Sequence, residues 1–234
     1  MAFGFEAKNT GGYVVIDTVY NNLSLQQKYD FSASADGTFS VVQANCVAPL
    51  MCINSTDYVG FYGLAVSGST YTWRFKAVSA ATGSIYIFDK PHPGHTSAFG
   101  MKIMAADGVT EIFNSDNKYL RVAGILDVPW TSGIDSSLGS YTTGGDASNT
   151  TLPSAKYALC LSLSRVRSYF GISGDYYKSF KRRFDGVKTT ATGVYVSQAV
   201  EIYFEPGGGG AHPGVFANTG TGTAPAQIIN VEGF

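Results

Sequence analysis

The sequence predicts an all-β, sandwich-like protein, and three observations lead to that prediction. Short apolar runs alternate with polar residues at a period of two, which is the pattern of half-buried strands. Glycine-containing turns separate these runs, and the chain holds 28 glycines, 15 tyrosines and 15 phenylalanines among its 234 residues. No window longer than about ten residues keeps a helical apolar stripe. A chain of 234 residues can bury one large β core or two small ones.

A short pattern occurs twice and organises the predicted fold. Residues 2–8 lead through a glycine turn and a second apolar run to a third run at Leu23, and residues 98–104 lead through the same series to Leu120. Each copy predicts a hairpin followed by a strand. The shared Ala-Phe-Gly start favours an internal duplication. Coincidence is the alternative, because alternation broken by glycine is common in β proteins.

Residues 13–88 predict a series of antiparallel strands joined by polar or glycine-containing turns. In residues 71–76 aromatic and basic side chains alternate, which predicts an aromatic core face and a basic outer face. Residues 84–88 are apolar on both faces, which predicts a strand buried between layers. The series ends at Pro91 and Pro93, because two nearby prolines are excluded from a central strand.

The predicted organisation is two related antiparallel lobes, of residues 1–97 and 98–205, with a Gly-rich C-terminal arm of residues 206–234. A polar segment rich in Ser, Thr and Gly, residues 129–154, interrupts the second lobe, and a loop of that length is usually mobile or functional. The arm begins with a four-glycine run, which predicts a flexible lead, and residues 227–231 predict a final strand. That strand either closes the chain's own sheet or docks on another subunit.

The apolar spacing of residues 176–184 fits both a helix and one face of a strand. Asp185-Gly186 follows directly and is a hairpin-turn signal. We therefore predict a strand that ends in a turn at these two residues.

The three cysteines are odd in number and lack the spacing of a zinc site. Cys160 lies in an apolar run, which predicts a buried free thiol. Cys46 and Cys52 either close a small loop or stay reduced, and a reducing compartment favours reduced thiols.

Composition argues against several classes of function. A formal net charge of −1 gives no global attraction to nucleic acid or acidic membranes, so nucleic acid is not an expected partner. No apolar run approaches the ~18–20 residues of a membrane span, and none is expected. The N-terminus lacks the pattern of a signal peptide, which predicts synthesis in a cytoplasm.

Catalysis has little support in the sequence. There is no G-x-S-x-G motif, phosphate-binding loop or dinucleotide fingerprint, so no catalytic residue and no cofactor are predicted, and we expect a protein that is not an enzyme. Glu201 and Glu205 share a strand face, but the sequence defines no cleft between them, and solvated positions are favoured. The histidines His92, His95 and His212 are weak metal candidates, because a His-Pro-Gly context is typical of exposed turns and no Cys or carboxylate lies at ligand spacing.

Two sets of residues are candidates for binding. Trp130 and Tyr141 lie in the polar segment 129–154, and their aromatic rings suit packing against the apolar faces of a receptor glycan. Basic residues interleaved with aromatic ones are candidates for a surface that binds a protein partner or an anionic glycan, although the balanced total charge favours solvated strand faces. These residues are Arg165, Arg167, Lys178, Lys181, Arg182 and Arg183.

Two stretches resemble a loosely defined family of tailed-bacteriophage virion proteins, small β-rich proteins of the tail tip or fibres. They are Met-Ala-Phe-Gly-Phe-Glu at the start and Gly-Val-Thr-Glu-Ile-Phe-Asn-Ser-Asp-Asn-Lys-Tyr-Leu-Arg-Val at residues 108–122. The resemblance covers residues 2–25 and 98–126 and brings no catalytic motif. It implies synthesis in the host cytoplasm, a location in the virion tail and other tail proteins as partners.

The expected function is therefore that of a non-enzymatic structural component of a phage tail tip or fibre, in virion assembly and host attachment. We expect a homo-oligomer, for which a trimer is one candidate. The alternative is a carbohydrate- or receptor-binding module that recognises a bacterial surface glycan. A polysaccharide-degrading enzyme ranks third.

Overall fold

The structure is a computed structural model, and every regular element that it describes is a β-strand. The all-β prediction is confirmed. Among the candidate residues, Tyr141, Arg165 and the three histidines lie outside the described residues. The described ranges are 6–8, 14–17, 23–90, 101–104, 107–108, 111–130, 146–161, 166–173, 176–204 and 222–234.

Alternation at a period of two places most of the described chain in strands. The strands before residue 91 are β1 (Glu6–Lys8), β2 (Val14–Asp17), β3 (Ser24–Ala33), β4 (Thr38–Gln43), β5 (Leu50–Ser55), β6 (Val59–Ser67), β7 (Thr70–Ala77) and β8 (Ala81–Asp89). The strands after residue 100 are β9 (Lys102–Met104), β10 (Glu111–Asn114), β11 (Val122–Trp130), β12 (Ala147–Asn149), β13 (Tyr157–Leu161), β14 (Val166–Ser173), β15 (Tyr176–Thr189), β16 (Val194–Phe204) and β17 (Gly222–Asn230).

Two large antiparallel sheets form the body of the protein. The six-stranded sheet has the order β11-β17-β13-β5-β8-β3, and the seven-stranded sheet has the order β12-β16-β15-β6-β7-β4, with β14 paired to β15. The hairpins β1–β2 and β9–β10 form separate two-stranded sheets. Apolar side chains of the two large sheets share one core, which confirms the sandwich-like prediction.

The main core lies between the two sheets. Ile85 and Ile228 of the six-stranded sheet are fully buried in it, as is Phe75 of the seven-stranded sheet. The rings of Phe31, Phe39 and Phe75 form a stack with successive centroids 4.7 and 5.1 Å apart. This stack joins β3 to β4, so aromatic packing closes the sandwich along that side.

Strand β7 has the two-faced character that its sequence predicts. Trp73 and Phe75 are buried in the core, whereas Arg74 is exposed on the opposite face. Lys76 lies on that outer face too, with its ammonium 3.1 Å from the carboxylate of Asp36.

The other face of the six-stranded sheet carries a second apolar cluster. Tyr86 and Phe88 are fully buried there, and Leu120 and Phe234 pack against them. The ring of Phe234 lies 5.8 Å from that of Phe88, between centroids. Since Ile85 and Ile87 face the main core, β8 is buried on both faces, as residues 84–88 predict.

All three cysteines are buried free thiols, so the prediction for Cys160 is confirmed and no loop is closed between Cys46 and Cys52. Cys52 and Cys160 lie on the neighbouring strands β5 and β13. Burial, followed by contact with Cys160, raises the pKa of the Cys52 thiol well above its ordinary value. The thiol therefore stays protonated at neutral pH and is unreactive.

Strands from both predicted lobes contribute to each large sheet. In the six-stranded sheet β5 pairs with β13, and in the seven-stranded sheet β6 pairs with β15. The division into residues 1–97 and 98–205 stays a prediction. Separating two such lobes would break strand pairs in both sheets.

The apolar strand of the predicted arm closes the chain's own sheet. β17 lies between β11 and β13, and Ile228 and Ile229 are fully buried on opposite faces. Pro225 precedes the part of β17 that pairs with β13, and Pro129 lies in β11 at the end of the sheet, two places that tolerate a missing N–H. Residues 206–221 of the arm lie outside the described residues.

Two local predictions need correction. The predicted loop of residues 129–154 is shorter, because Pro129 and Trp130 end β11 and residues 147–149 form β12. Residues 176–184 form a strand, as predicted, but Asp185-Gly186 continues it and makes no turn. The register of β15 against β16 shifts between Phe184 and Gly186, so the Asp-Gly pair forms a bulge.

The duplicated pattern has the same strand order in both copies. β1 and β2 form a hairpin before β3, and β9 and β10 form a hairpin before β11. The two copies also meet, because Leu120 N donates to Leu23 O at 2.9 Å and Leu25 N to Lys118 O at 2.7 Å. Phe3, Phe5 and Phe99 lie outside the described residues, so the equivalence of these side chains stays a prediction.

Candidate interaction surface at one end of the sandwich

The strand registers bring many strand termini together at one end of the six-stranded sheet. The end of β8 lies beside the starts of β3 and β5. The ends of β11 and β13 lie beside the start of β17. Because β13 is antiparallel to β5, these two groups of termini lie at the same end.

Hydrogen bonds tie the matching end of the seven-stranded sheet to this one. Cys46 N, after β4, donates to Ser69 O in the β6–β7 turn at 2.9 Å. Val47 N and Ala48 N donate to the carboxylate of Asp89 at 2.7 and 3.0 Å. We call the end of the sandwich that carries these strand termini the long-connection end, and we call the opposite end the short-turn end.

The two ends differ in the length of chain that joins their strands. The connections that leave from the long-connection end include residues 90–101, 131–146 and 205–221. Those of the short-turn end include residues 34–37, 56–58, 78–80, 150–156 and 190–193, with hydrogen bonds such as Gly37 N to Ser34 O at 3.0 Å and Thr190 N to Gly193 O at 2.8 Å. Binding residues are commonly carried on long connections held by a rigid scaffold.

Trp130 is the sequence-predicted candidate that the described residues place where a long connection begins. It is the last residue of β11, it is paired with Gly222, and the connection to β12 follows it. The candidates His92, His95, Tyr141, Arg165 and His212 lie outside the described residues.

Apolar side chains are exposed at the same end. Leu64 and Val66 are 50% and 52% exposed, although they pair with Trp73 and Tyr71 of β7. Trp73 is buried in the core and Tyr71 stacks on it with centroids 5.6 Å apart. The face of β6 and β7 that packs into the core therefore extends past the region in which the rest of the protein buries it. Val47, 63% exposed, adds an apolar side chain from the neighbouring connection.

A ribbon of β14, β15 and β16 carries the basic residues and runs from the middle of the seven-stranded sheet toward this end. β15 pairs with β6 only at Gly186 and Val187, and its earlier residues pair with β14 instead. The register puts Arg167, Arg183 and Glu201 in one cross-strand row. The next row is Tyr169, Lys181 and Tyr203, and Arg182 pairs with Ser168 and Ile202. Lys178 lies in β15 as well. The ribbon thus gathers the basic residues predicted from sequence that the structure describes.

A polar cluster around Asp57 at the short-turn end was not predicted from sequence. The carboxylate of Asp57 accepts from Tyr58 N at 2.7 Å and from the Ser79 hydroxyl. Lys188 Nζ lies 3.9 Å from Asp57 and 5.8 Å from the centre of the Tyr58 ring. The Ser79 bond, then the Tyr58 N–H and Lys188, lower the pKa of Asp57 below its ordinary value. Asp57 therefore acts as an acceptor that fastens the β5–β6 turn to the β7–β8 turn.

Metal-ligating side chains do not gather in groups of three or more in the part of the chain that the structure describes. No helix within those ranges is long and apolar enough to cross a membrane. Comparisons of the chain with protein-family models, curated proteins and solved structures find no match.

Proposed function

We propose that this chain is a non-enzymatic structural component of a phage tail tip or fibre, and that it contacts its partners through the long-connection end. The observation that carries the proposal is the asymmetry of the sandwich. Long connections, exposed Leu64 and Val66, and the basic ribbon meet at one end. Hydrogen-bonded short turns close the other. The phage assignment rests on the resemblance of residues 2–25 and 98–126.

The chemistry of this end suits a protein partner. Apolar side chains at half exposure contribute free energy when a partner covers them. The strand register puts two basic residues, Arg167 and Arg183, in one row with a single acidic residue, Glu201, and this composition favours an acidic partner. Other tail proteins and further copies of this chain are the proposed partners, and the tail of the virion is the proposed location.

The location is tested by finding the chain in particles. Virions of the phage that encodes it are purified, their proteins are identified by mass spectrometry, and particles are labelled with a gold-conjugated antibody against the chain. We expect the chain in every preparation and the label on the tail. Its absence from virions, with abundant chain in infected cells, would overturn the virion assignment.

Glycan attachment is a second candidate, favoured by the aromatic pair at the same end. Tyr71 is half-buried there and stacks on Trp73, and Trp130 begins the connection to β12. The purified chain is titrated with host surface polysaccharide, and Tyr71→Ala and Trp130→Ala are compared with the wild type. We expect weaker binding by both variants if this end holds the glycan. No binding by the wild-type chain would rule out this function.

A further inference from the structure

Strand β11 forms one border of the six-stranded sheet. Within the described ranges its strand neighbour is β17, on one side. A border strand presents backbone donors and acceptors to whatever lies beside it, and it is a natural place for another strand to pair.

The side chains at this border have an ordered pattern. Arg121, Ala123, Ile125 and Asp127 are all exposed, and Ile125 is 64% exposed. Val122 is 54% exposed as well, and from Gly124 onward the exposed Ile125 and Asp127 alternate with buried positions such as Leu126. The border therefore carries a stripe that runs from basic through apolar to acidic. In a second copy that runs in the opposite direction, the acidic end of the stripe would lie beside the basic end of this one, so the two stripes are complementary.

We propose that β11 pairs antiparallel with β11 of a second copy, about a two-fold axis at Gly124. Arg121 then lies opposite the partner's Asp127, and Ala123 lies opposite the partner's Ile125. Opposite charges and apolar pairs directly across two strands stabilise an antiparallel ladder. The symmetry doubles each contact and joins two six-stranded sheets into one. This proposal rests on β11 and is independent of the proposed function.

The geometry limits the extent of the pairing. Pro129 has no N–H, and it lies beyond Asp127, outside the proposed ladder. The register of β11 against β17 shifts between Val122 and Gly124, and such a bulge increases the local twist. Arg121 donates to Glu232 O and lies 4.5 Å above the Phe234 ring, but a guanidinium has further N–H donors. A short ladder of this kind predicts a reversible dimer.

The test measures self-association of the purified full chain by sedimentation velocity over a concentration series. We expect a monomer–dimer equilibrium for the wild type. Asp127→Arg and Ile125→Lys should each raise the dissociation constant at least tenfold, since they place like charges or a buried charge in the ladder. Arg121→Asp with Asp127→Arg should return it to within about threefold of wild type, because the stripe is again self-complementary. Val42→Lys, at a position of β4 that is 53% exposed, is the matched control and should dimerise normally.

A cross-link tests the axis itself. A Cβ at Gly124 would meet Ile228 at 3.6 Å, an ordinary contact, so Gly124→Cys should fold, which a thermal melt verifies. Its thiol should form an intersubunit disulfide on mild oxidation with copper phenanthroline, whereas the exposed Val42→Cys should not. A wild-type chain that stays monomeric at all concentrations would overturn the proposal. So would a dimer that Asp127→Arg and Ile125→Lys leave unchanged, or a folded Gly124→Cys that fails to cross-link.

Discussion

At the scale of single residues, stability resides in large side chains that both clusters bury completely. Phe75 is the clearest example, because it is fully buried and stacks on Phe39 at 5.1 Å. Phe88 has the same role in the second cluster. Exposed apolar residues such as Val47 contribute little to folding, which leaves them available for contacts with partners.

We predict that Phe75→Ala lowers the free energy of unfolding by about 3–5 kcal/mol, because it removes a buried ring and leaves a cavity. Urea denaturation followed by circular dichroism measures the change. Val47→Ala, at a position 63% exposed, is the control and should change stability by less than about 0.5 kcal/mol. Equal losses in the two variants would show that Phe75 is not a core residue.

The Asp57 cluster predicts a pH-dependent contribution to stability. The folded chain holds the pKa of Asp57 below its ordinary value, chiefly through the Ser79 hydroxyl. Its contribution is therefore complete above the unfolded pKa of about 3.9 and is lost as the pH falls through the lower folded pKa. Ser79→Ala should lower stability at pH 7 by about 1 kcal/mol, a modest figure because the carboxylate is a third exposed.

The deficit of Ser79→Ala should narrow as the pH is lowered below about 4, where Asp57 becomes protonated in both proteins. Denaturation curves at a series of pH values measure it. Ser40→Ala, at an exposed serine in β4, is the control and should follow the wild type throughout. A deficit for Ser79→Ala that does not change with pH would disprove the role of the Asp57 charge.

At the scale of elements, β17 decides whether the six-stranded sheet is continuous. It pairs with β11 on one side and β13 on the other, over Gly222 to Ile229 and Ala226 to Asn230. Without β17, both β11 and β13 would lose their hydrogen bonds to it. The two apolar clusters would each lose a buried isoleucine of this strand. β17 is therefore part of the core.

Two substitutions in β17 separate the contribution of its core face from that of its outer face. Ile228→Ala should lower the free energy of unfolding by about 2–5 kcal/mol, because the side chain is fully buried between the sheets. Gln227→Ala, at the adjacent exposed residue, should have an effect within about 0.5 kcal/mol. Thermal and urea unfolding of both variants provide the comparison, and similar losses would contradict the register of β17.

At the scale of the whole molecule, local sequence patterns predict elements better than their arrangement. The aromatic and basic alternation of residues 71–76 and the apolar run of residues 84–88 report burial directly, since each residue's face follows from a period of two. The hairpin turn predicted at Asp185-Gly186 is wrong, because the same residue types occur in β-bulges and in turns. Pairing of β5 with β13 joins residues about 100 positions apart, and no local pattern encodes it.

The candidate surface was predictable in part. Trp130 and the basic residues of β14 and β15 were identified from residue type and spacing. Their convergence with Leu64 and Val66 at one end depends on strand direction in two sheets, which the sequence does not give. The sequence does not predict the exposure of Leu64 either, because the alternation of β6 puts this residue at a core position.

The central claim is that the long-connection end is the contact surface. Complementation of a phage that lacks the chain tests it most directly, with the yield of infectious particles as the readout. Leu64→Lys with Val66→Lys adds two charges at this end, and Ala191→Lys with Thr192→Lys adds two at exposed positions of the short-turn end. Melting temperatures of the purified variants confirm that both fold. We expect the first variant to lower the yield at least tenfold and the second to match the wild type. A normal yield from the first variant with a loss from the second would contradict the account.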